Sequence, residues 1–169
     1  MTNFKISTSK NSTLNNIVIT QLQELSSCLD ELVKLYLDAY QEMKEYAYSK
    51  AKDARYYLRW LFKRASGGFF IAKADDELVG FIVADAYWID NGNPVGEIHE
   101  VVVKRNNAGK GIGKALIKRA LSHFKNKGLA RVGLWVGEKN QRAIRLYQFF
   151  GFEEKAKMGR WIRMYKTLK

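Results

Sequence analysis

Apolar residues change their spacing several times along the chain, and each change predicts a new secondary-structure element. In residues 22–40 and 43–65 they recur every three or four positions, which places them on one face of a helix. Shorter runs rich in β-branched and aromatic residues, at 69–72, 78–88 and 97–103, are typical of strands. This part of the chain therefore predicts two amphipathic helices followed by three strands.

Helices and strands alternate in the remainder of the chain. A helical period spans residues 112–127 and is followed by Gly128, a residue type that commonly terminates helices. Four further elements are predicted after it, which are a strand at 131–136, a short helix at 140–150 and two closing antiparallel strands at 152–157 and 160–165.

The N-terminal residues differ from the rest in composition. Residues 1–15 are rich in Ser, Thr, Asn and Lys, and this composition predicts a flexible segment. A short strand is predicted at 17–19, where the patterned part of the chain begins. No internal repeat or linker divides the patterned part, so we expect one domain over residues 16–169, long enough to bury a core.

Residues 97–113, reading EIHEVVVKRNNAGKGIG, combine a strand, a polar turn and three alternate glycines immediately before a helix. The start of a helix presents unpaired N–H groups and a partial positive charge, and glycines let an anion approach closely. The loop is not a Walker A loop, because Ala115 stands where a hydroxyl residue is needed. It is not a dinucleotide fingerprint either, because the sixth position counted from Gly109 is Lys114. The stretch predicts a phosphate-binding loop of another kind.

Two segments resemble the GNAT family of N-acetyltransferases. The family's acyl-CoA loop reads Gln/Arg-x-x-Gly-x-Gly/Ala, and residues 108–113, AGKGIG, match it except that Ala108 stands at the first position. Residues 140–147, NQRAIRLY, followed by FGF at 150–152, are similar to the family's Asn-x-x-Ala-x-x-x-Tyr…Gly-Phe segment. The resemblance extends over about residues 17–167. It implies an α/β fold with a mixed, mostly antiparallel twisted sheet flanked by helices.

The resemblance implies transfer of the acetyl group of acetyl-CoA to a primary amine of a small molecule or peptide, by direct attack in a ternary complex. Backbone N–H groups of residues 108–114 would hold the pyrophosphate, and the strand at residues 101–103 would bind the pantetheine arm through its backbone. No metal is implied, and a homodimer is consistent with the family's habit. The implied coenzyme-binding residues are Val101, Val102, Val103, Ala108, Gly109, Lys110, Gly111, Ile112, Gly113, Lys114, Asn140 and Tyr147.

Acetyl transfer to an amine needs a base, because an alkylammonium with a pKa of about 10.4 is not a nucleophile until it loses a proton. Glu97 is the predicted base, since it stands where the histone-acetylating branch of the family carries its catalytic glutamate. Glu100 and His99 are the alternatives. Tyr147 is the predicted acid that protonates the departing thiolate.

Strand periodicity adds an expectation about these side chains. Alternation along residues 97–103 predicts one face with Glu97, His99, Val101 and Val103, and the opposite face with Ile98, Glu100 and Val102. A β-bulge in this strand would change that parity.

The acceptor site is expected to lie beside the two N-terminal helices, by the same resemblance. This region holds two glutamates able to attract a cationic amine, Glu42 and Glu45, although solvated helix charges are the simpler interpretation. It also holds many aromatic residues, which are Tyr36, Tyr40, Tyr46, Tyr48, Tyr56, Tyr57 and Trp60.

The formal net charge of +12 fits nucleic acid, an anionic membrane or a ligand with several phosphates. Lysines and arginines are spread along the chain with no recognised nucleic-acid module, which favours the phosphorylated ligand. Two alternatives to the enzyme stay open, which are a non-catalytic acyl-CoA-binding module and a basic nucleic-acid-binding protein. One cysteine, Cys28, excludes an internal disulfide. Without a long apolar run or a signal segment, we expect a cytoplasmic protein with no membrane partner.

Overall fold

The computed structural model describes residues 4–6 and 16–169. Most of the predicted flexible segment, residues 1–15, lies outside the described residues, and Phe4–Ile6 within it form a strand. The strands are β1 (Phe4–Ile6), β2 (Ile17–Gln21), β3 (Phe69–Ala74), β4 (Glu77–Asp90), β5 (Asn93–Val103), β6 (Arg131–Gly137), β7 (Glu153–Met158) and β8 (Trp161–Thr167). The helices are α1 (Leu29–Ala39), α2 (Ala51–Arg64), α3 (Ile112–Asn126) and α4 (Gln141–Phe149).

The eight described strands form a single mixed sheet in the order β1-β2-β3-β4-β5-β6-β8-β7. Neighbouring strands are antiparallel except β5 and β6, which are parallel because α3 carries the chain from one to the other. The mixed, mostly antiparallel sheet that the family resemblance implied is therefore confirmed.

Two apolar layers cover the two faces of the sheet. On one face, α3 and α4 bury residues such as Leu116, Phe124 and Ile144 against β2–β6. On the other face, α1 and α2 bury residues such as Leu32 and Leu58 against β3–β5. The sheet is therefore the middle layer, and a residue of β5 faces one helix pair or the other.

Both N-terminal helices are shorter than the apolar spacing predicts. The first begins at Leu29 rather than at residue 22, although Leu22 and Leu25 are buried in the same layer. Between them and the helix, the Ser27 hydroxyl donates to the Glu24 carbonyl oxygen at 2.9 Å, a local bond of the kind that competes with helix formation. The second helix begins at Ala51. In these segments the apolar spacing correctly predicts which residues are buried, but it does not predict where each helix begins.

The parallel pair β5 and β6 is short and then separates. Residues 96–98 pair with residues 132–134, whereas residues 101–103 pair with β4 and with no other described strand. The sheet therefore opens between the carboxyl ends of β5 and β6, beside the start of α3. The backbone of residues 101–103 is free on that side to bind an extended ligand.

A β-bulge in β5 changes the predicted alternation. Val83 pairs with Glu100 and Ala84 pairs with Ile98, so the residue between them, His99, is extra. His99 contacts Trp60 of α2, and the next residue, Glu100, bonds to Tyr40 after α1, so two successive side chains share one face. The predicted assignment of β5 side chains to the two faces of the sheet is therefore wrong beyond the bulge. Val101 and Val103 pack in the α3–α4 layer together with Ile98, and Val102 packs in the α1–α2 layer.

Candidate active site

A cleft of about 460 Å³ lies at the opening between β5 and β6. All the predicted coenzyme-binding residues line it except Lys110. The other lining residues are Ala39, Tyr40, Met43, Arg105, Asn107, Arg142, Ala143 and Leu146, and of these the sequence analysis singled out only Tyr40, among the aromatic residues of the expected acceptor region. Of those on α4, Ala143 stands three residues after Asn140 and four before Tyr147, so helical spacing could have found it, whereas Arg142 and Leu146 do not stand at that spacing. No local signal pointed to Met43, and none distinguished Tyr40 from the other aromatic residues near the two N-terminal helices. Both residues reach the cleft through the tertiary fold.

The loop before α3 presents unused backbone donors to this cleft. Among the described residues, no acceptor is found for the N–H groups of residues 109–114. The Ala108 N–H instead donates to the Arg105 carbonyl oxygen at 3.1 Å, so the free donors begin one residue later than predicted. Gly109 and Gly111 have φ angles of 82° and 85°, a left-handed conformation that favours glycine. The local backbone thus explains the two glycines, and it leaves a row of N–H groups for an anion.

Positive charge surrounds these donors. The first turn of α3 contains no acidic residue, so nothing there opposes the partial positive charge of the helix terminus. Lys114 and Arg142 line the cleft, and the Lys114 ammonium lies 4.0 Å from the centre of the Phe149 ring, which holds it beside the loop. This end of the cleft is suited to a diphosphate.

Replacement of Gly111 by alanine should weaken coenzyme A binding at least about tenfold and lower the free energy of unfolding by about 1–2 kcal/mol. The added Cβ meets no atom within 4 Å, so the effect comes from the left-handed backbone, whose adjustment turns the N–H groups away. Calorimetric titration and urea unfolding measure both quantities. Gly92→Ala is the matched control. Gly92, like Gly111, has a left-handed φ, of 77°, and open space around an added Cβ, but it lies in the β4–β5 turn. This control protein should lose stability and keep affinity. A Gly111→Ala protein with wild-type affinity contradicts the anion site.

Helix α4 supplies two predicted residues to the cleft. The Asn140 side chain accepts a hydrogen bond from the Ala143 N–H at 3.1 Å and so caps the start of α4. Tyr147 is buried, and its ring packs on Phe152 with centroids 5.8 Å apart. Burial, and then the charge of Glu100, raises the pKa of Tyr147. Its hydroxyl therefore carries its proton throughout the physiological pH range.

The predicted base, Glu97, lies away from the cleft lining in a buried ion pair. Both Glu97 oxygens accept from the Arg163 guanidinium, at 2.5 and 2.8 Å, and the two residues are 3% and 4% exposed. Arg163 also donates to Asp90 at 2.8 Å, and Asp90 in turn accepts from the Tyr165 hydroxyl. Burial raises the pKa of Glu97, and the Arg163 bonds oppose that rise. The carboxylate is fully engaged inside the protein.

The alternative carboxylate, Glu100, has a different environment. Its two oxygens accept hydrogen bonds from the Tyr40 hydroxyl at 2.7 Å and the Tyr57 hydroxyl at 3.0 Å, and no cation pairs with it among the described residues. Burial raises the pKa of Glu100 to about 7, although both tyrosine bonds oppose the rise. A carboxyl group with this pKa exchanges its proton readily near neutral pH.

His99 is held in place by neighbouring groups. One ring nitrogen lies 3.2 Å from a carboxylate oxygen of Asp85, which is fully buried and also pairs with Arg64 at 3.1 Å. Its ring is flanked by Trp60 and Trp88, with centroids 5.6 and 5.2 Å away. These contacts fit the interpretation of His99 as a hydrogen-bonded structural histidine.

The described part of the chain contains no cluster of three metal-ligating side chains and no membrane-spanning helix. Within residues 4–6 and 16–169, no group of three or more His, Cys, Asp or Glu side chains is placed to hold a metal ion. None of the described helices is both long enough and apolar enough to cross a bilayer.

A free-donor loop, residues 109–114, lies at a helix start and opens into the gap between two diverging strands, where the sequence resemblance implies a loop that holds the pyrophosphate of acyl-CoA. The sequence model of the acetyltransferase (GNAT) family matches residues 29–152, and the chain belongs to this family.

Individual relatives agree with this assignment. An uncharacterised N-acetyltransferase of Methanocaldococcus jannaschii is 43% identical over 142 residues, which are 83% of this chain and 63% of that protein. The chain thus spans less than two thirds of that relative's length. A crystal structure from Pyrococcus horikoshii is 42% identical, with a TM-score of 0.83 over 90% of this chain and 99% of that one. The PaiA N-acetyltransferase of Thermoplasma acidophilum, solved with coenzyme A, shares the fold at 24% identity, with a TM-score of 0.75 over 90% and 99% of the two chains.

Proposed function

We propose that this protein transfers the acetyl group of acetyl-CoA to a primary amine of a small molecule or peptide, by direct attack within a ternary complex. One observation carries the proposal. The free-donor loop and Tyr40 line the same cleft, and Tyr40 bonds to a buried carboxyl group whose pKa lies near neutrality. A site that only stored acyl-CoA would have no need of such a base.

The coenzyme binds with its pyrophosphate on the N–H groups of residues 109–114. Its pantetheine arm lies along residues 101–103 as an added strand, because that edge of β5 is free where β6 has diverged. This path directs the thioester toward Tyr147 and Tyr40, which also line the cleft. Val101 and Val103 contribute backbone groups, since their side chains pack in the core layer.

Glu100, rather than Glu97, is the base in this proposal. The amine must lose a proton for its lone pair to attack the thioester carbonyl carbon, and a base with a pKa near 7 suits this step at physiological pH. Glu97 is bound by Arg163, and ending that pairing would leave a buried arginine without its main partner. Collapse of the tetrahedral intermediate then breaks the C–S bond, and the departing thiolate takes the hydroxyl proton of Tyr147 while water in the cleft returns a proton to the phenolic oxygen.

An amine panel tests the activity. Wild-type protein, acetyl-CoA and each of a set of alkylamines, polyamines and peptides with free N-termini are mixed, and both thiol release and the mass of the acetylated product are followed. We expect at least one acceptor to give stoichiometric thiol and acetylamide. Background thiol release with every acceptor contradicts the enzyme and favours the non-catalytic acyl-CoA-binding module. Coenzyme A at 100 times its dissociation constant should in either case add about 2.7 kcal/mol to the free energy of unfolding.

Tyr147→Phe should lower kcat about tenfold to a hundredfold while the affinity for coenzyme A changes less than about threefold. The ring and its packing on Phe152 remain, and only the proton donor is lost. Because the thiol of the leaving group has a pKa of only about 8.5, the loss should be smaller than that for the base. Steady-state kinetics and calorimetric titration separate the two quantities. An unchanged kcat removes Tyr147 from the chemistry.

The oligomeric state of the protein is a separate proposal. We propose a homodimer on the basis of family habit alone, and light scattering at micromolar concentration tests it. A monomer would leave the assignment of the cleft intact, since every group named above comes from one chain.

A further inference from the structure

Glu100 is connected to the cleft through another side chain. Glu100 is 8% exposed and does not line the cleft, whereas Tyr40 lines the cleft and donates its hydroxyl proton to Glu100 at 2.7 Å. Tyr57, the second hydroxyl bonded to Glu100 at 3.0 Å, is not among the lining residues. Of the two groups that touch the carboxylate, only Tyr40 is positioned to contact a bound amine.

We propose that Tyr40 is a catalytic residue that relays the proton of the attacking amine to Glu100. This inference rests on the proposed function, because it assigns the route by which the base of that reaction acts. It also extends that function, since the amine nitrogen meets a phenolic oxygen rather than a carboxylate.

The relay balances in protons and electrons. The amine lone pair forms the C–N bond to the thioester carbonyl carbon, and the amine proton passes to the Tyr40 hydroxyl oxygen. In the same step the hydroxyl proton of Tyr40 passes to the Glu100 oxygen that already accepts its hydrogen bond. Tyr40 is neutral before and after the step, and Glu100 changes from carboxylate to carboxylic acid. The reverse transfer, to water in the emptied cleft, restores the enzyme.

The surroundings of Glu100 require the two transfers to be coupled. Burial, and then the charge of Glu100, raises the pKa of Tyr40 well above its ordinary value, so a free phenolate is not an accessible intermediate. The groups that face Glu100 are Tyr36 and Tyr40 from the α1 end, Tyr57 from α2, His99 from β5 and Tyr147 from α4. None of them is a lysine or arginine, so Glu100 keeps its capacity to accept a proton.

Tyr40→Phe and Tyr57→Phe form a matched pair for the test. Each change removes one hydroxyl that donates to Glu100, and each keeps the aromatic ring, which packs on Tyr36 in both cases. Since both hydrogen bonds lower the pKa of Glu100, both variants should move the acid limb of kcat/KM to higher pH. Only Tyr40→Phe also removes the relay.

The measured quantity is kcat/KM of each variant divided by that of the wild type, from pH 6 to pH 10, with the best acceptor of the amine panel. Ionisation of the amine cancels in this ratio. We expect the Tyr57→Phe ratio to rise toward 1 above pH 9, where Glu100 is ionised in both proteins. The Tyr40→Phe ratio should be at least about a hundredfold below 1 at every pH and should level off near a hundredfold, without recovering, above pH 9.

Three outcomes are distinguishable. A Tyr40→Phe ratio that recovers at alkaline pH as the Tyr57→Phe ratio does overturns the relay, because Tyr40 then only tunes Glu100. Equal losses in both variants at alkaline pH also overturn it, since they indicate a general structural effect, which thermal melting of the two proteins would reveal. A wild-type protein that acetylates no amine defeats the proposed function itself, before the variants are compared.

Discussion

Replacing Glu100 by glutamine should lower kcat by about 10²–10⁴-fold and, at the same time, stabilise the protein at alkaline pH. Glutamine keeps the shape of the side chain and an oxygen that accepts from Tyr40, but it cannot take a proton. Affinity for coenzyme A should be unchanged, since Glu100 does not line the cleft. Steady-state kinetics with the best acceptor, calorimetric titration and urea unfolding measure the three quantities.

The gain in stability comes from linkage between folding and protonation. The unfolded chain releases the Glu100 proton near pH 4.5, whereas burial in the folded protein raises the pKa to about 7. Between these values the folded state binds the extra proton, so the stabilisation present below pH 4.5 is lost as pH rises through 7. At about 1.4 kcal/mol per pKa unit, the loss is about 3 kcal/mol.

Glu100→Gln does not undergo this loss. The difference in unfolding free energy between variant and wild type should therefore grow by about 3 kcal/mol in favour of the variant from pH 4.5 to pH 8. Glu154→Gln, a change at an exposed glutamate of β7, is the control and should alter neither activity nor the pH dependence. A stability difference that stays constant with pH means that Glu100 titrates normally. Retained turnover in Glu100→Gln removes it as the base.

The conformation of the predicted phosphate loop could be anticipated from the sequence because all its determinants are local. The left-handed glycines, the helix start and the capping Asn140 each act within a few residues, so their spacing predicts their conformation. The order of the strands along the chain could also be predicted, because short apolar runs separated by turns indicate where each strand lies. The family pattern then predicts which end of α3 faces the coenzyme.

The sequence could not show in the same way whether Glu97 or Glu100 is the better candidate for the base. It depends on one extra residue, His99, in β5, and a bulge leaves no signal in the alternation of polar and apolar side chains. It also depends on distant partners, since Arg163 lies 66 positions after Glu97 and Tyr40 lies 60 positions before Glu100. Tertiary contacts thus divided two similar glutamates into a structural carboxylate and a titratable one.

The structural role of Glu97 leads to the second large expected effect. Glu97→Met should destabilise the protein by about 3–5 kcal/mol, because Arg163 is 4% exposed and would keep only Asp90 as a carboxylate partner. Turnover per folded molecule, measured well below the melting temperature, should stay within a few-fold of wild type. Urea unfolding and steady-state kinetics provide the two values.

A double-mutant cycle separates the ion pair from the loss of a single side chain. Glu97→Met and Arg163→Met should each be strongly destabilising, whereas the double variant should lose less than either, since no unpaired buried charge then remains at this position. Asp90 keeps its bond from Tyr165 in all the variants. Additive losses would mean that the pair is not coupled. A stable Glu97→Met protein without turnover would return the role of base to Glu97. Because Glu100→Gln should be inactive and stabilised, and Glu97→Met destabilised and active, the two replacements together decide which glutamate takes the proton.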